Sequence, residues 1–115
     1  MDDDKELEEL KIRRDAAAAQ VKVCAERAYA DWDVAKDKLR DLARVSPSNA
    51  EAMIVEQPHH FGDPKPGATL WREDAHSAMA AALAEQRLNV QIKALDLKRK
   101  AHERRERERD DERTR

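Results

Sequence analysis

The fold is decided by residues 7–42, which read LEELKIRRDAAAAQVKVCAERAYADWDVAKDKLRDL. Counted in sevens, this stretch places small or apolar residues at the inward positions of a coiled coil over about five heptads. The lapses fall at Arg14, Asp31 and Lys38, and after the last two the next residues, Trp32 and Leu39, supply the apolar group. The stripe drifts as a helix of 3.6 residues per turn drifts against a seven-residue repeat, which predicts one long helix.

The composition of the chain also favours long helices. Of its 115 residues 42% are charged and 3% are aromatic, whereas an ordinary globular domain has roughly 25% charged residues. All four prolines and both glycines fall between Pro47 and Gly67. We therefore predict an all-α single domain, built as an elongated antiparallel two-helix hairpin of the coiled-coil type. The net charge of −2 argues against a generally basic nucleic-acid binder and against a DNA mimic.

Helix-breaking residues divide the chain into two long helices and a connection. Helix 1 is expected over about residues 4–44, because Pro47 disfavours the helical conformation at Ser46. Ser48 is a suitable N-cap for a short helix over about residues 49–56. A proline-rich loop follows over residues 57–68, and helix 2 is expected over about residues 69–112, including a charged tail at 98–115.

Both long helices carry a second apolar stripe on roughly the opposite side from the first. In helix 2 the main stripe is expected to comprise Met79, Leu83, Gln86, Val90, Ala94, Leu97 and Ala101. Its second stripe contains Ala81, Leu88, Ile92 and Leu95. A row of exposed Leu and Ile is unfavourable on a monomer. We therefore predict a four-helix homodimer in which Leu88, Ile92 and Leu95 associate with Val23 and Val34 of helix 1; the alternative for helix 1 is that its second, Ala-rich face is ordinary surface.

The connection between the long helices is a candidate surface for a partner protein, because it is long for a helical hairpin. Its apolar residues Met53, Phe61 and Trp71 are the predicted contact residues. The alternative is that a set of apolar side chains folds back and closes the end of the hairpin against Trp32 and Leu39: Met53, Ile54, Phe61, Leu70 and Trp71. The two interpretations are compatible with each other.

Residues suited to chemistry are few. His59, His60, Asp63 and His76 lack the spacing of a zinc site, and the sequence contains no glycine-rich phosphate loop and no paired nucleophile and base. We expect no metal, no cofactor and no catalysis. The single cysteine, Cys24, lies on the apolar stripe and is predicted to be a buried thiol. Without an apparent signal peptide or membrane span, we expect a cytoplasmic protein that does not interact with membranes.

These features predict a non-catalytic module for protein–protein interaction. An inhibitor, an adaptor or an assembly factor of bacterial or phage origin would fit, acting through the hairpin tip or the second stripe. The alternative is a nucleic-acid-associated protein that uses the basic end of helix 2. Acidic residues interleave with that segment and weaken its field. Its candidate contacts are Lys98, Arg99, Lys100, Arg104 and Arg105.

Overall fold

The structure is a computed structural model that describes residues 2–113, with side chains for residues 2–107. Its elements are α1 (Asp2–Ala28), α2 (Trp32–Val45), α3 (Pro47–Glu56), a short 3₁₀-helix (Pro58–Phe61) and α4 (Trp71–Arg113). The predicted all-α class is confirmed, since over residues 2–113 the only bridge between extended segments is an isolated one between Tyr29 and Pro64. The side chains of the predicted tail from residue 108 onward lie outside the described residues.

The long helices α1 and α4 pack side by side in opposite directions, as expected for the predicted hairpin. At the open end Arg99 Nη2 lies 2.7 Å from Asp4 Oδ1. At the closed end the ring of Tyr29, which follows α1 directly, meets the ring of Trp71, the first residue of α4, at 6.3 Å. These two contacts fix the register of the hairpin, and the last turns of α4 extend past Asp4.

The predicted continuous helix over residues 4–44 is wrong, because the chain leaves the helix at residues 29–31. The Ala30 N–H donates to the Asp63 carbonyl at 3.0 Å, and the Lys65 N–H donates to the Ala28 carbonyl at 2.8 Å. Backbone groups of the distant loop therefore replace the helical hydrogen bonds at the break. The loop therefore supplies hydrogen bonds for the backbone groups that the break frees, so the helix can end here without a Gly or Pro residue.

After the break α2 turns back along the hairpin. Its first residue, Trp32, has its ring 5.6 Å from Nζ of Lys22 in α1. Further along, Arg40 pairs with Glu85 of α4. The closed half of the molecule is thus a bundle in which α2 covers the seam between α1 and α4, and the open half is a two-helix hairpin.

The third helix, α3, lies antiparallel to α4. It begins at Pro47, two residues before the predicted start, since proline at the first helical position loses no hydrogen bond there. Pro47 borders the same groove as Val90, and Ile54 borders the same groove as His76. The predicted loop 57–68 contains the 3₁₀-helix, and α4 begins at Trp71, two residues after the predicted Thr69.

The hydrophobic core lies at the closed end. Its largest fully buried side chains are Tyr29, Phe61, Leu39, Met79 and Val21. Alanines occupy most other core positions and allow the helices to approach closely: Ala25, Ala28, Ala35, Ala43, Ala50, Ala75, Ala78 and Ala82. The described part of the chain measures 72 × 23 × 18 Å and has a Cα radius of gyration of 19.3 Å. A compact domain of about 100 residues has about 13 Å, so the molecule is elongated as predicted.

Candidate protein-binding surface

The predicted main stripe of α4 is buried in the closed half of the molecule and exposed in the open half, where the second stripe is half-buried instead. Met79 and Leu83 of the predicted main stripe are buried where α2 and α3 pack on α4. Further along the same stripe, Val90 is 60% exposed and Leu97 is 58% exposed. The predicted main stripe is therefore buried only as far as Leu83. The reason is that α2 and α3 reach only as far as the turn at Ser46, which lies level with this part of α4.

The exposed continuation of this stripe is called here the outer stripe, comprising Val90, Ala94, Leu97 and Ala101. At 100° per residue, Val90 lies about 160° around α4 from both Leu88 and Ile92. Leu88 and Ile92 share the face that carries Arg99 toward Asp4 of α1. Val90, Ala94 and Leu97 therefore face away from the Arg99–Asp4 contact, whereas Ala101 borders a groove together with Asp3 of α1. All four residues of the outer stripe are exposed.

An open groove lies at the inner end of the outer stripe. It has a volume of about 440 Å³ and is bordered by Ala43, Pro47, Leu83 and Val90, with Arg87 and Glu51 among its polar residues. Val45, the last residue of α2, is also strongly exposed next to this turn. The groove and the outer stripe form one continuous surface on which the apolar side of α4 emerges from beneath α3.

The outer stripe is flanked by cations. Residues 86–101 contain five Lys and Arg and a single acidic residue, Asp96. Among side chains of residues 2–107, Arg99 pairs with Asp4 and Lys100 lies 3.2 Å from Asp96. Lys93 and Lys98 are exposed and form no ion pair in that range, and helical geometry puts them on opposite sides of the stripe. The surface thus combines an apolar line with a positive rim, in which Lys98 also borders a groove with Asp3 of α1.

The predicted self-association residues do not form one exposed surface. Leu88, Ile92 and Leu95 are half-buried within the hairpin, whereas Val23 and Val34 are exposed on α1 and α2. Association through these residues stays a prediction, and the three α4 residues are not an exposed stripe in the described chain. Because α4 drifts relative to its neighbours, the face expected to be free is the one that meets α1 in the open half.

The predicted tip residues belong to the closed end of the core. Phe61 is 1% exposed, so a partner does not reach its ring in this conformation. Met53 and Trp71 are half-buried and pack against the core cluster together with Trp32. The His59 ring lies 4.7 Å from the Trp71 ring. The alternative interpretation, in which the connection closes the end of the hairpin, agrees with this packing and with the burial of Ile54, but not with Leu70, which is 59% exposed.

The sequence interpretation missed Tyr29. This side chain is fully buried, and its hydroxyl donates to the Pro58 carbonyl at 2.8 Å. Burial raises the pKa of the Tyr29 phenol well above its ordinary value of 10.0. The sequence did contain a signal, because the only tyrosine of the chain lies within a charged, Ala-rich stretch. A buried tyrosine usually has a hydrogen-bond partner, so a distant contact could have been expected at this position.

The buried thiol predicted at Cys24 is confirmed. Burial, and next the Asp74 carboxylate, raises the pKa of this thiol, while a hydrogen bond from Gln20 and the charge of Arg27 act less strongly in the other direction. The thiolate is the reactive form of cysteine. Cys24 is therefore placed as a packing residue rather than as a nucleophile.

Other candidate residues are dispersed. Within the described residues no group of three or more His, Cys, Asp or Glu side chains is arranged to hold a metal. Of the predicted nucleic-acid contacts, Arg99 and Lys100 are engaged in ion pairs, whereas Lys98, Arg104 and Arg105 are exposed. No helix in the described part of the chain has an apolar stretch that would span a bilayer.

Comparison of the chain with protein-family models, with curated proteins and with solved structures gives no significant match.

Proposed function

We propose that this protein is a non-catalytic module for protein–protein interaction, an inhibitor, adaptor or assembly factor, and that it binds its partner through the outer stripe and the adjoining groove. The observation that carries this proposal is the exposure of Val90 and Leu97 on a stripe that is buried by other helices at Met79 and Leu83. The same helix face is used for packing in one half of the molecule and is open in the other.

The energetic argument rests on the area that these two side chains still expose. Fully burying a Val or Leu side chain stabilises a protein or complex by about 1.5–3 kcal/mol, so covering the exposed parts of two is worth about 2–4 kcal/mol. Such side chains at the centre of an interface, with a charged rim, match the usual anatomy of protein-binding surfaces. The hairpin tip is a weaker candidate because Phe61 is buried.

The experiment that tests this function is site-specific photocrosslinking in cells that produce the protein. Benzoylphenylalanine replaces Leu97 in one variant and Val55 in a matched control, because Val55 is 63% exposed on α3 away from the outer stripe. We expect the Leu97 position to crosslink a defined protein and the Val55 position not to. Absence of a protein adduct at Leu97, or the same adducts from both positions, contradicts the proposal.

The predicted homodimer stays a prediction, and a variant that tests it must leave the interior of the hairpin intact. Ile92 is half-buried inside the hairpin, so Ile92→Arg disturbs folding as well as association. Leu97→Arg changes an exposed residue instead. Light scattering after gel filtration of the wild type and this variant separates a dimer held by the outer stripe from a monomer.

A second function, nucleic-acid association, is favoured by one observation: Arg104, Arg105 and Arg107 are exposed on turns of α4 that extend past the Asp4–Arg99 pair. Glu103 precedes these arginines and Glu106 lies between Arg105 and Arg107, and both reduce the positive field along that helix. Salt-sensitive binding to DNA or RNA that disappears on deletion of residues 98–115 is the result expected of this function. Binding of a protein that survives the deletion is the result expected of the first.

A further inference from the structure

We propose that the outer stripe accepts an acidic amphipathic helix of another protein, with one large apolar side chain of that helix inserted into the groove between Pro47, Leu83 and Val90. This inference deepens the proposed function, on which it rests, by naming the chemistry of the partner. It follows from the continuity of the helix packing, from the length of the open surface and from the placement of charges.

The helix packing within the molecule indicates what kind of element covers the stripe. Between Met79 and Leu83 the covering elements are helices: α3 buries Ala50 and Ile54 in the common core while it lies antiparallel to α4. The first residue of α3, Pro47, borders the groove. A helix placed beyond Pro47 would continue the layer that α3 begins. From Val90 to Ala101 the open stripe is about 17 Å long, which matches about three helical turns.

The groove suits an apolar anchor more than a charged one. Ala43, Pro47, Leu83 and Val90 supply its apolar border. Its two charged residues, Arg87 and Glu51, have opposite signs, so the groove itself has little preference for the charge of a ligand. Anchoring by one large side chain in a pocket, with smaller contacts along a helix, is the usual form of helix-in-groove recognition.

The charge preference arises further along the stripe. Lys93 and Lys98 flank the stripe on opposite sides and form no ion pair among the described side chains. A partner helix with Glu or Asp beside its apolar residues would meet both cations at once. A basic helix would be repelled there, so the rim selects against basic partners.

A second copy of this chain is a less suitable occupant. Its acidic α1 exposes Ile12, which is 63% exposed and lies about 160° around α1 from Leu10, a half-buried residue of the predicted inward stripe. The exposed faces of α1 and α4 are therefore on opposite edges of the hairpin. Pairing α1 of one copy with α4 of the next leaves an unpaired edge at each end and leads to open-ended assembly. Pairing two outer stripes closes a dimer, but it brings the Lys93 and Lys98 cations of both copies together, which is unfavourable.

The test uses the full chain and two synthetic peptides of about 18 residues, or five turns. Both have leucines at alternating three- and four-residue spacing and a fluorescent label. One has glutamates at the flanking positions and the other has lysines. Fluorescence anisotropy is measured with the wild type, with Leu97→Ser, with Lys93→Glu/Lys98→Glu and with the control Val55→Ser, and circular dichroism checks that each variant is folded.

We expect the glutamate peptide to bind the wild type and Val55→Ser equally, and to bind about tenfold more weakly to Leu97→Ser. The lysine peptide should bind the wild type at least about tenfold more weakly than the glutamate peptide does, with the difference shrinking at high salt. In Lys93→Glu/Lys98→Glu the preference should reverse, so that the lysine peptide binds better. This reversal is the specific signature of the positive rim.

Several results would overturn the inference. Equal binding of the two peptides, binding of neither, or binding that Leu97→Ser leaves unchanged each contradicts it. An assembly of the chain alone that Leu97→Ser dissociates assigns the surface to a second copy. An oligonucleotide that binds the wild type and Leu97→Ser equally, but not the double charge reversal, assigns the surface to nucleic acid. A protein crosslinked at Leu97 that contacts it without an acidic helix would disprove this inference while leaving the proposed function intact.

Discussion

Tyr29 is the residue at which the loop and the helices are joined. Its hydroxyl donates to the Pro58 carbonyl at 2.8 Å, and its ring meets Trp71 at 6.3 Å. In Tyr29→Phe the ring remains and the buried carbonyl loses its donor, so we expect a loss of about 1–2 kcal/mol in the free energy of unfolding. Urea unfolding followed by circular dichroism measures it, and the exposed-site control Val55→Ala should change by less than about 0.5 kcal/mol. A loss equal to that of the control would show that the hydrogen bond does not contribute.

The same variant tests a dependence on pH. Burial raises the pKa of the folded-state phenol above the ordinary value of 10.0 that it has when unfolded. The folded state therefore holds this proton where the unfolded state releases it, and stability is complete below the unfolded-state pKa and falls as pH rises above it. We expect the stability difference between wild type and Tyr29→Phe to be constant near neutral pH and to shrink above pH 10. A difference that grows with pH would contradict this sign.

Gly62 and Gly67 provide a second comparison between single residues. Gly62 has φ of 146° and ψ of 178°, a conformation that is essentially restricted to glycine, and its Cα faces the Tyr29 ring. Gly67 has φ of 80° and open space around it, where Asn is tolerated. We expect Gly62→Asn to cost about 1–3 kcal/mol and Gly67→Asn less than about 0.5 kcal/mol. Thermal unfolding of the two variants checks the order, and equal losses would refute it.

At the scale of elements, α2 is tied to α4 by an ion pair. Arg40 Nε and Nη2 donate to the two Glu85 carboxylate oxygens at 2.8 and 3.1 Å, and the Glu85 side chain is only 6% exposed. Arg40→Met leaves that carboxylate without its partner. Because Arg40 is itself partly exposed and water can approach, we expect a loss of about 1–3 kcal/mol, below the roughly 3–5 kcal/mol for breaking a fully buried pair.

The matched control is the double variant Arg40→Met/Glu85→Met. It removes the unpaired charge as well, so the double variant should regain most of the free energy of unfolding that the single variant loses. Urea unfolding measures this difference. If the double variant were as unstable as the sum of both single variants, the pair would contribute no coupling. In that case the packing of α2 on α4 would rest on Leu39 and Ala43 instead.

The elements also show what can be predicted from sequence alone. The all-α class follows from periodicity and from the confinement of Gly and Pro to residues 47–67. The break after Ala28 does not, because its hydrogen bonds come from Asp63 and Lys65, more than thirty positions away. Likewise, the two stripes of α4 are similar in sequence, and which of them is exposed depends on where α2 ends. Local sequence patterns predict which faces of a helix are apolar. Which element covers each face depends on packing between distant parts of the chain.

At the scale of the whole molecule, the sequence reveals that α4 has two apolar stripes, but it does not reveal which of them is exposed in the open half. Val90 and Leu97 belong to the predicted main stripe, and Leu88, Ile92 and Leu95 to the second stripe that was predicted to associate. The structure divides the molecule into a closed half, where four helices share a core, and an open half, where α1 and α4 pack only against each other. A two-helix layer buries one face of each helix, so an elongated hairpin with two apolar stripes necessarily exposes one of them.

This division of the molecule predicts opposite roles for two leucines at the open end. Leu7 of α1 is 5% exposed and Leu97 of α4 is 58% exposed. Leu7→Ala removes a buried side chain from the seam, and we expect it to cost about 2 kcal/mol, the low end for Leu→Ala in cores, because the thin hairpin can relax around the gap. Leu97→Ala should change the free energy of unfolding by less than about 0.5 kcal/mol. Urea unfolding at several protein concentrations measures both. If the loss in the free energy of unfolding for Leu97→Ala grows with protein concentration, a second copy covers the outer stripe. If only Leu7→Ala loses stability, and the loss does not depend on concentration, the outer stripe is free to bind a different protein.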